Sequence, residues 1–480
     1  MHWFYIYKMI FLSFRFYTRG KLKRHLMRWL KILIFIFLFL PACRTTRDTV
    51  IPHISKAGTQ QAKKQSYEEE IAMKFPEPKP QKLPEVQAPE EPPTRKAPGV
   101  PEEQVPEGTE GQAPQQTKVE MDLPEDVIES AEIDWLADHY MKMLTIEQKI
   151  GQRFITHIEG TELSKQTVSM IHDGYIAGII LYPWNVETPE QVKQLTSSVQ
   201  QTANKNNPPI QLFICVDQEG GRVNAFKFKE VSHFPPPYYW AQYHDQLFIE
   251  SAAYIISKEI SDLGCNMNLA PVLDVYGIPD RTVIGDRSMG NDPEAVGRYG
   301  VSYIRGAEKA GVIPVVKHFP GHGYTSVDSH REMPVVELEE SELHAWDMKP
   351  FKMTIEQGAD AVMTSHVLYP RLDPDYPATL SARIIRGILR EQYGFQGVII
   401  SDGIAMGALS NNYDITDTLK LSFKAGIDLI LVHSTYDLSD MKKRVYRLYK
   451  RGEITDEEID EGVQRVLELK LKYGLIPEEY

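Results

Sequence analysis

Cysteine is scarce in this chain: 480 residues hold three, Cys43, Cys215 and Cys265. Three thiols cannot build a disulfide framework or a four-thiolate metal site. A surplus of positive charge is missing as well. Lys and Arg number 53 against 66 Asp and Glu, a formal charge of −13, and an acidic chain is a poor binder of nucleic acid phosphates. The apolar run Ile32–Ala42 is too short to cross a bilayer as a helix. Between Pro76 and Pro114 there is no aromatic residue, while 11 of the chain's 32 prolines fall there among many Glu and Gln. Such a stretch cannot bury enough apolar surface to offset its ordering entropy, and its prolines keep it extended. Taken whole, the chain's composition, 42% hydrophobic and 10% aromatic, is that of a globular chain with material for a sizeable core.

Arg28 and Lys31 precede the short apolar run, and Ala42-Cys43 follow it. A charged start, a short apolar core and a small residue before the cut form the layout of a secretory signal. Leu40-Pro41-Ala42-Cys43 resembles a bacterial lipobox, in which Pro41 is unusual, and places Cys43 where an exported lipoprotein carries its lipid. An uncleaved anchor or a buried core strand is the plainer alternative. A second start at Met27 gives a better signal peptide than Met1. The expected organisation is a signal/lipoprotein segment over 1–43, a disordered Pro/Glu/Gln-rich linker over 44–122, and a folded domain over 123–480. The linker then serves as a tether, and the protein is expected to be exported to the cell envelope and held at a membrane by its N-terminal lipid.

In the folded part, short apolar β-branched runs alternate with amphipathic stretches. Eight strands are predicted, at Gln152–Thr156, Ala177–Tyr182, Leu212–Val216, Asn266–Leu269, Ile313–Val316, Ala361–Thr364, Gly397–Ser401 and Leu429–Val432. Runs such as Val398-Ile399-Ile400 suit parallel strands covered on both faces. Helical patterns lie between or after them, at Pro189–Thr202, Asp292–Ala310, Ser381–Tyr393, Asp414–Ala425 and Asp456–Tyr473. Eight strand–helix units predict an α/β fold, a (β/α)8 TIM-type barrel, with a doubly wound open sheet as the runner-up. Polar residues follow successive strands: Asp217, Asp274, Lys317-His318, His366, Asp402 and His433. Solvated caps would explain one or two of them. A series points to the C-terminal rim of a barrel, where that fold keeps its chemistry.

The densest segment is Lys317-His318-Phe319-Pro320-Gly321-His322-Gly323, which continues to Asp328-Ser329-His330. Its Pro and Gly residues read as a loop. Three histidines, a lysine and an aspartate in one loop are costly to bury unless they meet something polar. Lys317 beside His318 would repel a cation, so no metal is expected.

This segment resembles the family three glycoside hydrolases, in their β-N-acetylhexosaminidase branch. Five further motifs follow the family's order: Val216-Asp217-Gln218-Glu219-Gly220-Gly221-Arg222-Val223, Asn268 to Val275, Ile284 to Gly290, Pro377 to Ser381, and Gly397 to Asp402. The resemblance implies a retaining β-N-acetylglucosaminidase acting on peptidoglycan fragments or chitooligosaccharides, with no cofactor. It implies that Asp402 is the nucleophile; a helix N-cap is the plainer reading of that Asp. His330 is then the acid/base, oriented by Asp328, and Gly321 and Gly323 are expected to let its loop swing. Asp217, Arg287, Lys317 and His318 would bind the sugar, with Arg222, His366 and Met406 as further contacts. Arg222 also reads as a partner for Glu219, and Met406 as packing. Ala225 stands where relatives often carry a second arginine. Trp184, after a strand end, offers a ring on which a sugar can stack. Two rivals keep the same residues: a phosphorylase using phosphate as acceptor, and an inactive carbohydrate-binding envelope lipoprotein.

Overall fold

The computed structural model describes residues 125–275, 283–433 and 435–477. The chain divides into two units, Met1–Pro114 and Gln115–Tyr480, and everything below concerns the second. The expectations for the signal segment, Cys43 and the linker fall outside the described residues.

Eight parallel strands form the centre: β1 (Phe154–His157), β2 (Gly178–Leu181), β3 (Phe213–Val216), β4 (Met267–Asn268), β5 (Ile313–Phe319), β6 (Ala361–Thr364), β7 (Val398–Ile400) and β8 (Ile430–Val432). Each pairs with its neighbour in the chain, and β8 pairs back onto β1 through Phe154↔Ile430 and Ile155↔Leu431. A parallel bridge between Ile400 and Leu429 brings β7 to the start of β8 and completes the ring. An open doubly wound sheet reverses its strand order at a switch point. No reversal occurs here, and the barrel is the fold.

Side chains alternate along each strand. Ile155, Phe213, Cys215, Met267, Ile313, Val315, Val398 and Ile400 pack together inside the barrel. Phe154, Ile214, Val216, Val316, Val362 and Ile399 face the helical layer. Both faces are therefore dry, which is why the strands read as unbroken apolar runs. The helices start where the sequence supplies caps. Asp292 accepts from the Glu294 amide ahead of Pro293–Lys309, Asp414 from the Thr416 amide, and Thr455 forms a capping box with Glu458.

The mouth at the N-terminal ends of the strands is sealed. Arg153 is fully buried and donates to the carbonyls of Asp428, Glu458 and Ile459 at 2.6, 2.7 and 2.9 Å. Gly462 has no Cβ because Arg153 occupies that space, 2.4 Å from where one would stand. Burial lowers the guanidinium to about 10, with Asp428 opposing the fall, so it stays charged at neutral pH and saturates those carbonyls.

Two elements differ from expectation. β5 runs on to Phe319, three residues past Val316, because acidic partners meet the polar side chains of Lys317 and His318. The Ser381–Tyr393 stretch is helical, but Arg383–Gln392 winds as a wider π-helix, closed by the Tyr393 amide on the Ile388 carbonyl at 2.9 Å.

Candidate functional site

A cavity of about 450 Å³ opens at the C-terminal ends of the strands. Asp217, Arg287, Lys317, His318, His330, Asp402 and Met406 all line it, together with Tyr182 and His433. A groove of about 530 Å³ lies elsewhere, lined by Glu147, Met170, Leu438 and Tyr446; none of the residues that end the barrel strands lines it.

The floor is an ion network. Asp217 follows β3, and Glu219 sits two residues on in the short strand Gln218–Gly220. Residues i and i+2 of an extended chain share a face, and both carboxylates reach Lys317, at 2.6 and 2.7 Å. Glu219 also takes a two-pronged contact from Arg287, Nε at 2.8 Å and Nη2 at 2.7 Å. Burial alone would raise the Glu219 carboxyl, but Arg287 and Lys317 overcome it and hold it at about 2. Burial likewise works against charge on Lys317, and Asp217 and Glu219 reverse this and raise it. Two cations thus stay charged at the floor of the cavity.

His318 is fixed by a residue in the loop that follows the preceding strand, β4. Asp274 is fully buried and accepts from His318 Nδ1 at 2.6 Å, and from the amides of His318 and His322 at 3.2 and 2.7 Å. That leaves Nε2 for the cavity. Register against β6 slips between Val316 and Phe319, and the consecutive Lys317 and His318 both face the cavity instead of alternating.

Asp402 stands just past β7. The next helix begins only at Gly407, so Asp402 does not cap it. Its Oδ1 accepts from the Gly403 amide at 2.7 Å. Burial would raise this carboxyl; the imidazoles of His366 and His318, the Gly403 amide and His330 together pull it below its ordinary value. It is ionised at neutral pH and half-buried in the cavity wall.

His330 lines the same cavity with its side chain 73% exposed and Nδ1 2.8 Å from Asp328 Oδ1. Its loop is clasped to the segment after Asp402. The Gly407 amide donates to the His330 carbonyl and the Ala408 amide to the Ser329 carbonyl, both at 3.0 Å. Asn411 Nδ2 donates to the Arg331 carbonyl at 2.8 Å, and His322 Nε2 lies 3.1 Å from Ser329 Oγ. Gly407 is required here, since a Cβ would meet the Arg331 carbonyl oxygen at 2.3 Å.

Several expectations need correction. Gly321 and Gly323 are not loose hinges. A Cβ on Gly321 would strike Asp347 at 2.6 Å and one on Gly323 the Val275 carbonyl at 1.7 Å, so both permit close packing. Arg222 does not pair with Glu219 and does not line the cavity. It lies outside, with Asp286 at 3.3 Å and the Val283 and Ile284 carbonyls at 3.0 and 2.9 Å. His366 is fully buried behind Asp402 and is not a cavity wall. Burial lowers its pKa, and the ring donates from Nε2 to the Gly403 carbonyl at 3.1 Å while Thr379 Oγ1 lies 2.8 Å from Nδ1. It positions the backbone beside Asp402.

The sequence reading passed over Glu219 and Asp274 as site residues. The i, i+2 carboxylates of the Asp217–Glu219 motif were the available signal. It also passed over Asp347, which is buried with neither oxygen hydrogen-bonded among the described residues. Burial, then the Asp274 charge, push it up to about 8. Among the described residues no group of three or more His, Cys, Asp or Glu is placed to hold a metal ion.

Residues 145–469 match the family described as "Glycosyl hydrolase family 3 N terminal domain". A β-hexosaminidase of Methylobacillus flagellatus is 35% identical over 290 residues, 59% of this chain and 80% of that protein. β-Hexosaminidase A of Pseudoalteromonas piscicida is 31% identical over 334 residues, 65% of this chain but only 56% of its own length. The solved structure of a glycoside hydrolase family 3 β-N-acetylglucosaminidase from a Paenibacillus species superposes with a TM-score of 0.67 at 38% identity. The match spans 69% of this chain and 63% of that one.

Proposed function

The chain belongs to glycosyl hydrolase family 3, on its β-hexosaminidase branch, and from that premise we propose that it is a retaining β-N-acetylglucosaminidase. It removes terminal β-linked N-acetylglucosamine from peptidoglycan fragments or chitooligosaccharides. The observation that carries this reading is that Asp402 and His330 line one cavity, with Asp328 held to one nitrogen of the imidazole and the other left for substrate.

Asp402 Oδ2, the oxygen that the Gly403 amide does not hold, attacks the anomeric carbon. His330 Nε2 gives its proton to the glycosidic oxygen as that C–O bond breaks. Asp328 accepts from Nδ1–H, which fixes the tautomer and the orientation of the ring. In the second half the neutral His330 takes a proton from water, the oxygen attacks the same carbon, and the ester to Asp402 breaks. Two displacements at one carbon retain its configuration. Asp217 accepts from sugar hydroxyls, while Lys317, Arg287 and His318 Nε2 donate to the ring substituents.

The test is the rate on an aryl β-N-acetylglucosaminide against the aryl β-glucoside, with and without phosphate. The N-acetyl sugar is expected to react faster by on the order of 100-fold, with free sugar as product. A preference for the glucoside sinks the branch-level specificity, and a sugar phosphate as product makes the enzyme a phosphorylase.

The same reading places the protein at the envelope as a lipoprotein anchored through Cys43, on the strength of the signal-like start and the proline-rich stretch after it. Labelled palmitate is expected in the parent chain and to be absent from Cys43→Ser. Equal labelling of both would remove the anchor.

A further inference from the structure

The charged floor is not the only wall of the cavity. Tyr182, the first residue past β2, also lines it, and the following turn, Pro183–Asn185, sets Trp184 against Tyr182. The two rings are stacked, with centroids 4.4 Å apart and 22° between their planes. Tyr182 thus covers one indole face, and Trp184 remains 49% exposed. His433, past β8, meets both rings close to edge-on, at 5.4 and 6.1 Å. The turn is held rigidly. Asn185 is fully buried, donates to the Ile158 and Gly160 carbonyls at 2.9 and 2.8 Å, and accepts from the Tyr182 amide at 2.9 Å. A flat apolar ring is therefore displayed to water on a fixed support, at the edge of a site otherwise built from charges.

Depth decides what such a ring can meet. Lys317 and His318 are buried at the floor, and a sugar held by them lies below the rim. Whatever that sugar is joined to rises past His330 to the level of Trp184. Tyr182 and His433 share the cavity with Asp402 and His330, so the shelf borders the bond that would break. A pyranose with equatorial substituents presents a patch of axial C–H groups on each face. That patch is the natural complement of an aromatic face, which is weakly negative and apolar.

We propose that Trp184, backed by Tyr182, is the stacking platform for the leaving-group sugar, and that it selects N-acetylglucosamine linked to a further pyranose over the same sugar linked to a small alcohol. This rests on the glycosidase reading above, and the test separates the two. The readout is the ratio of kcat/KM for the β-1,4-linked N-acetylglucosamine disaccharide to that for methyl β-N-acetylglucosaminide. Trp184→Ala is expected to lower this ratio about tenfold, the scale of one ring contact. Trp184→Leu keeps bulk over Tyr182 but offers no flat face, and is expected to behave like Ala; Trp184→Phe keeps most of the ratio. An unchanged ratio, or a Leu variant that matches the parent, overturns the platform. Binding of the disaccharide to Asp402→Asn, measured by calorimetry with and without Trp184→Ala, needs no turnover. About tenfold weaker binding keeps the platform even if the parent hydrolyses neither glycoside, in which case the glycosidase reading fails alone. Equal binding, or none to either protein, overturns the platform.

Discussion

Replacing Asp402 by Ala is expected to slow turnover of an aryl β-N-acetylglucosaminide on the order of 10⁴-fold or more, while the sugar still binds. The carboxylate sits where an apolar strand ends, so β7 fixes its backbone; the Gly403 amide holds one oxygen and leaves the other free. It is half-buried yet ionised, and an anion that has lost part of its hydration is a better nucleophile than one wrapped in water. On the proposed mechanism, alanine removes the nucleophile but none of the floor proposed to hold the sugar. Added azide should then enter the vacated space and attack from the side that Asp402 used, giving the α-glycosyl azide. A variant that keeps the parent rate would show that turnover comes from another site or a contaminant. Loss of sugar binding together with rate would make Asp402 a structural residue instead.

Glu219→Gln is expected to cost roughly 3 kcal/mol of stability at neutral pH and about 100-fold in kcat/KM, although Glu219 does not line the cavity. The substitution is nearly isosteric, so the effect is one of charge. Lys317 keeps Asp217, but Arg287 loses a two-pronged partner, and two cations face each other across a dry space. Removing one member of a buried pair costs far more than the pair contributes, because the stranded charge remains desolvated. The pH dependence follows from the same group. Its carboxyl lies at about 2 in the folded chain against an ordinary 4.5. Its stabilisation is therefore complete above about 4.5 and is lost as pH falls toward 2. Urea unfolding of parent and variant should show a wide gap at pH 7 that narrows markedly by pH 3.5. A gap that does not move with pH would mean that packing, not charge, accounts for the loss.

The strands were legible because a parallel strand covered on both faces has no polar alternation to confuse it. Leu212–Val216 and Ala361–Thr364 announce themselves by composition. Lys317 and His318 broke that rule, and β5 therefore read three residues short. Their partners are Asp217 and Asp274, which are 100 and 44 residues distant along the chain. The same blindness to distance led Arg222 to be read as Glu219's partner, since it is the nearest cation in sequence. The actual partner, Arg287, lies 68 residues on and is brought there only by closure of the barrel. His366 follows a strand as the other site residues do, but sequence order does not tell a side chain facing the cavity from one turned behind it. The motif around Lys317 to His330 marked where the site would be. Which glycines there hinge and which pack close was a question of neighbours from other strands, Asp347 for Gly321 and Val275 for Gly323.

The clasp between the amides of Gly407 and Ala408 and the carbonyls of His330 and Ser329 makes a calliper of the site. One jaw is the carboxylate past β7, the other the imidazole on the long loop, and the four residues Gly403–Met406 are the bar that sets their opening. Those residues need carry no reactive group to govern how thick a ring fits between the jaws. Natural or laboratory selection for a differently shaped sugar thus has a spacer to act on that leaves both reacting side chains in place.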